Sequence, residues 1–125
     1  EERWSAKGGA TWRGRRWTVS TVVTAHGGWP ITGLALQSGS LVSGELNADR
    51  LGDFGSLDVK ATRHVAFERF DLEWFVEITN LTNRDNACCI DYTVSYDADG
   101  HATGLEQSMR EWLPLVPSAG VRIEF

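Results

Sequence analysis

Four groups of residues could do chemistry by type and spacing. Asp97-Ala98-Asp99-Gly100 sets two carboxylates two apart before a glycine, like the opening of a calcium loop. Such a loop needs further oxygen ligands and a Glu at its twelfth position. The twelfth residue from Asp97 is Ser108, so the stretch reads as a turn in which Gly100 supplies positive φ. Cys88 and Cys89 are neighbours and form no C-x-x-C redox motif. They could close a vicinal disulfide, or Cys89 could cross-link two chains. The expected state is two free thiols, with Cys88 inward and Cys89 outward. His26, His64 and His101 fall on separate predicted loops and strands. A zinc centre needs three or four converging ligands, so neither a metal nor any other cofactor is expected.

The fourth group is "TWRGRRWT", where Trp12 and Trp17 surround Arg13, Arg15 and Arg16. Basic residues interleaved with aromatics can hold a phosphate, an acidic partner or a sugar ring. The plainer reading is a strand whose arginines are solvated. The chain has six tryptophans. Trp17, Trp74 and Trp112 fall on apolar faces and are expected in the core. Trp4, Trp12 and Trp29 fall in predicted loops, where exposed indoles stack on sugars or anchor protein interfaces. The candidate binding residues are therefore Trp4, Trp12, Arg13, Arg15, Arg16 and Trp29, with no catalytic residue among them. No phosphate loop, nucleophile elbow or Ser-His-Asp arrangement is visible, and no enzymatic activity is expected. Asn80-Leu81-Thr82 fits a glycosylation sequon.

The elements that must position these residues read as strands. With 125 residues, 42% of them apolar, the chain suits one folded domain. Thr, Val, Trp and thirteen glycines recur, while Met occurs once, which favours strands and turns over helices. Residues 1–16 are polar and basic and read as a flexible N-terminal arm. Trp17–Ala25 alternates with Trp17, Val19, Thr21 and Val23 on one face. Short strands broken by Gly33, Gly39 and Gly44 follow, then the turn-rich "NADRLGDFG". Ser56–Phe67 places Val59, Ala61, Val65 and Phe67 together, and Leu72–Asn80 does so for Leu72, Trp74, Val76 and Ile78. From Cys88 to Tyr96, Cys88, Ile90, Tyr92, Val94 and Tyr96 share a face opposite Cys89, Asp91, Thr93 and Ser95. Leu105, Met109, Trp112 and Leu113 fit either a short helix or an irregular edge strand. "PLVPSAG" reads as a loop, and "VRIEF" as a last strand with Val121, Ile123 and Phe125 inward.

Net charge is -5, unevenly spread. Residues 1–25 carry five basic and two acidic residues, and the remainder seven basic and fifteen acidic. An acidic surface of that kind repels nucleic acid. No apolar run reaches the ~20 residues of a membrane span, so no membrane insertion is expected. The first residue is Glu1 rather than Met, which predicts a processed chain or a piece of a longer one.

Residues 75–125 resemble the FxLYD-type family of immunoglobulin-like domains of prokaryotic cell-envelope proteins. The features that carry the resemblance are "VEITN", the polar loop "LTNRDN", the alternating "CIDYTVSYDADG", "LVPSAG" and "VRIEF". The resemblance implies an all-β, immunoglobulin-like antiparallel β-sandwich, and an extracellular or cell-envelope location. It implies no shared catalytic residue. The expected function is a non-catalytic binding or assembly module acting through protein–protein contacts, with a protein partner or self-association. The alternative is a carbohydrate-binding module that holds a glycan with its loop tryptophans.

Overall fold

The computed structural model describes residues 3–125. Among the described residues there are eleven strands and no helix. In chain order the strands are β1 (Ser5–Arg13), β2 (Trp17–His26), β3 (Pro30–Ile31), β4 (Leu34–Gln37), β5 (Ser40–Ser43), β6 (Asp49–Arg50), β7 (Phe54–Ala66), β8 (Asp71–Thr79), β9 (Ala87–Tyr96), β10 (Ala102–Glu111) and β11 (Val116–Glu124). The chain is all-β, as its composition predicts. Its contacts gather into two interleaved units. A sheet unit comprises Ser5–Ala25, Gly55–Asp85 and Leu113–Phe125. A hairpin unit comprises His26–Phe54, Asn86–Trp112 and a short piece ending at Trp4.

The sheet unit is one five-stranded sheet in the order β1-β2-β7-β8-β11. β7 and β11 both pair antiparallel with β8. Only three residues separate β1 from β2, a connection that joins antiparallel neighbours. The register builds rows of side chains across the sheet. Arg63, Trp74 and Val121 stand opposite one another. The Trp17 ring meets Trp74 edge-on at 5.3 Å, and Arg63 lies over Trp17 at 5.2 Å. All four therefore project from one face. Because the pleat alternates, Val59, Ala61 and Val65 of β7 and Leu72, Val76 and Ile78 of β8 share that face. So do Ala119 and Ile123 of β11 and Val19, Thr21 and Val23 of β2.

The opposite face is polar. Lys60 sits 4.3 Å above the Phe75 ring, and His64 Nδ1 lies 3.1 Å from Glu73 Oε2. Thr11 and Ser20 share a hydroxyl hydrogen bond of 3.1 Å there. Trp12, one residue on from Thr11, therefore belongs to the apolar face.

The hairpin unit holds the ladders β9–β10, β4–β5 and β3–β6. β4 and β5 are joined by Ser38 and Gly39, both at positive φ (49° and 77°). That is the two-residue turn whose twist matches the flanking strands. Leu51 is buried here, and its carbonyl lies so close to Gly28 that a Cβ on Gly28 would stand 1.7 Å from the oxygen. Only glycine fits at that position.

Several expectations need correction. Ser5–Arg13, expected within a loose arm, forms β1, because pairing with β2 satisfies its backbone where its side chains offer no core pattern. Of the two readings open for residues 105–113, the strand holds: β10 runs to Glu111, with Trp112 and Leu113 beyond it. Part of "PLVPSAG" is strand rather than loop: β11 starts at Val116 and runs through Pro117 to Gly120. β11 is an edge strand, where a proline's missing N–H costs no ladder bond. Val121, Ile123 and Phe125, expected inward, are exposed, as is Trp112. Among the described residues the buried apolar side chains are Leu51 and Ala102. The apolar face of the sheet is thus open over much of its area: Val23, Val76, Val121 and Ile123 are all exposed.

The alternation from Cys88 to Val94 is as the sequence predicts: Cys88, Ile90, Tyr92 and Val94 are half-buried, and Cys89, Asp91, Thr93 and Ser95 are exposed. Tyr96 departs from it and is exposed. The thiols are not free. The two sulfurs are bonded to each other as a vicinal disulfide.

Candidate binding site

The structure divides the six sequence-predicted binding residues between the two units. Trp12, Arg15 and Arg16 come together at the β1–β2 turn, where with Trp17 they line one shallow depression. The turn is closed by the Gly14 N–H donating to the Trp17 carbonyl at 2.7 Å. The Trp12 ring folds against Gly14, where there is no side chain to obstruct it, and is 62% exposed. Arg13 ends β1 and is exposed, but it does not line the depression. This grouping was legible because a hairpin turn brings sequence neighbours together.

Trp4 and Trp29 belong to the hairpin unit. The Trp4 carbonyl accepts from the Gly27 N–H at 2.9 Å, and its indole lies against Gly27. Trp29 stacks on His26 at 5.2 Å, which stacks on Phe54 at 4.7 Å, and the edge of Trp112 meets Trp29 at 6.4 Å. Trp29 also borders a cavity of about 340 Å³ with Ile31, Leu51, Ile90, Tyr92 and the Cys88–Cys89 disulfide. No short-range signal marks this convergence, because its members come from both ends of the unit's sequence.

A second feature that the sequence does not reveal lies where β2 begins and β7 ends. Arg15 and Arg16 also reach a cavity of about 580 Å³, with His64, Asp71, Glu73, Arg122 and Glu124 around it. Register explains it. Glu73 stands opposite both His64 and Arg122, and Asp71 opposite Glu124. Arg122 and Glu124 form an ion pair along β11. The His64 N–H donates to the Arg16 carbonyl at 2.9 Å, tying the turn of β2 to this row. The lining is therefore a mosaic of both signs, suited to a partner with both. These ion pairs are largely exposed, and exposed pairs contribute at most about 1 kcal/mol to stability.

The "DADG" stretch is a turn, with one addition. Asp97 Oδ1 accepts from the backbone N–H of Asp99 at 3.0 Å and of His101 at 2.8 Å. The turn brings Asp97, Asp99 and His101 within 4.8 Å of one another, all exposed. His101, expected on a separate element from these carboxylates, joins them at the turn. The backbone bonds account for the geometry of Asp97 without any ion.

The sequon asparagine has a different role. Asn80 is 2% exposed. Its Nδ2 donates to the Arg84 carbonyl at 3.0 Å, and its Oδ1 accepts from the Arg84 N–H at 3.1 Å. An amide so enclosed cannot carry a glycan in the folded chain.

Comparison with protein-family models, with curated proteins and with solved structures finds no match.

Proposed function

We propose that this chain is a non-catalytic binding or assembly module of an extracellular or cell-envelope protein, and that it acts through protein–protein contacts. The observation that carries the reading is the open apolar face of the five-stranded sheet. Trp12, Val23, Val76, Val121 and Ile123 project from it and are all exposed. Exposed apolar side chains gathered on one sheet face mark an interaction site. The sheet also ends in two edge strands, β1 and β11, whose outer backbone groups are available for pairing. An immunoglobulin-like arrangement, as the resemblance of residues 75–125 implies, uses its faces and edges in this way.

Light scattering at increasing protein concentration tests the reading. The expected result is a rising mass, lost when Val121→Asp or Ile123→Asp puts a charge on the apolar face. A constant monomer mass, together with no loss of partner binding in these variants, would overturn it.

A carbohydrate-binding reading has one observation in its favour, the exposure of both Trp4 and Trp29 in the hairpin unit. Exposed indole faces stack on sugar rings. A glycan-array signal abolished by Trp29→Ala and Trp4→Ala, and unaffected by Val121→Asp, would favour it over the protein-contact reading.

A further inference from the structure

We propose that Cys88–Cys89 is a reversible dithiol–disulfide site whose state sets the bulge in β9 and, through it, the Trp29–Trp112 pair. In a regular strand, adjacent side chains point to opposite faces, so neighbouring cysteines cannot meet. Here the ladder is broken at that point. Arg110 stands opposite Cys89, while the next residue, Glu111, stands opposite Ala87. Cys88 is thus the extra residue of a β-bulge, where the ladder is interrupted and the strand bends, and this local distortion lets the two sulfurs meet. The disulfide and the bulge coincide at this one position.

The consequence lies just beyond the bulge. The Trp112 N–H donates to the Asn86 carbonyl at 2.7 Å, a bond that exists only in the bulged register. That bond holds Trp112 where its ring meets Trp29, and Trp29 shares the cavity wall with the two cysteines. With the disulfide opened, the two thiols are free to separate. The bulge then relaxes by one residue, the segment before Cys88 changes faces, and Trp112 loses its anchor.

The reductant is a dithiol. Its thiolate attacks the sulfur of Cys89, the exposed member of the pair, and the S–S bond breaks. The electron pair leaves on the Cys88 sulfur, which takes up a proton. The second thiol of the reductant then attacks the mixed disulfide, forming the reductant's own disulfide and releasing Cys89 as a thiolate that is protonated in turn. In total two electrons and two protons pass to the protein.

The test uses the full chain equilibrated in oxidised glutathione, then treated with dithiothreitol. Thiol titration of the denatured chain should find none before reduction and both cysteines after it. On reduction of the folded chain, tryptophan emission should shift to the red and the Trp112 amide should exchange faster with solvent. Reoxidation should reverse both changes. Cys88→Ser/Cys89→Ser should ignore dithiothreitol, and Trp112→Phe should lose most of the emission shift. Two free thiols in the oxidising buffer, or a disulfide-linked dimer on a non-reducing gel, would overturn the proposal. So would complete reduction with no change in emission or in exchange at Trp112.

Discussion

Asn80 shows at the residue scale how one side chain holds a junction. It follows the last residue of β8 at positive φ (53°), a conformation that costs most residues roughly 1–2 kcal/mol and asparagine less. Its own N–H donates to Asp58 Oδ1 at 2.9 Å, and its amide brackets Arg84 with two hydrogen bonds. Asn80→Ala removes the amide and keeps the unfavourable φ, so it should destabilise by about 2–3 kcal/mol in urea denaturation. Asn80→Gly should cost less, because glycine tolerates that φ. Equal losses for the two would show that the backbone conformation contributes nothing. Tyr92 and Asp91 test the register of β9 in the same way. Tyr92 is half-buried, while Asp91 is exposed and paired with Arg110 at 2.8 Å. Tyr92→Ala should cost about 1–3 kcal/mol, and Asp91→Ala less than about 1. The reverse order would mean that every side chain of the strand sits on the other face.

Strands with a strong period of two were legible at the element scale, and strands made by their neighbours were not. β2, β7, β8 and β9 alternate in sequence, and the Ser38-Gly39 turn follows from local φ preferences. β1 has Lys7 and two glycines at its centre and is fully exposed. Only hydrogen bonding to β2 makes it a strand, and that partner is invisible in the sequence of β1. β11 contains Pro117 and Gly120, which read as a loop until its place at an edge is known. β10 carries Leu105 and Met109 four apart, a helical spacing, but Met109 is exposed, so the spacing recorded no core contact. The candidate site divides along the same line. The Trp12–Arg15–Arg16 group is local, whereas the His64–Glu73–Arg122 row depends on the register of three strands. Edge position also yields a prediction. Val121 is 66% exposed, so Val121→Asp should leave the circular dichroism spectrum and the urea midpoint nearly unchanged, within about 0.5 kcal/mol. Any loss of association then reports on the surface rather than on folding. A large drop in the midpoint would instead place Val121 in the protein's own core.

Charge at the scale of the whole molecule divides between the two units. The sheet unit carries nine basic and seven acidic residues, a net +2. The hairpin unit carries three basic and ten acidic residues, a net -7. Two copies can therefore attract each other when the sheet unit of one meets the hairpin unit of the next. Such attraction steers encounter, while apolar contact supplies the lasting affinity. The two contributions separate by salt, because the screening length falls from about 14 Å at 0.05 M to about 4 Å at 0.5 M. Deleting the N-terminal segment would not test this, since Ser5–Arg13 is β1 and its loss would expose β2 as a new edge. Point changes at the exposed turn avoid that problem. Arg15→Glu/Arg16→Glu should weaken self-association in light scattering at low salt, and the difference from the unaltered chain should vanish at high salt. Val121→Asp should weaken it at both. If the arginine variant associates as well as the unaltered chain at low salt, the charge division between the units plays no part in assembly, and the apolar face must act alone.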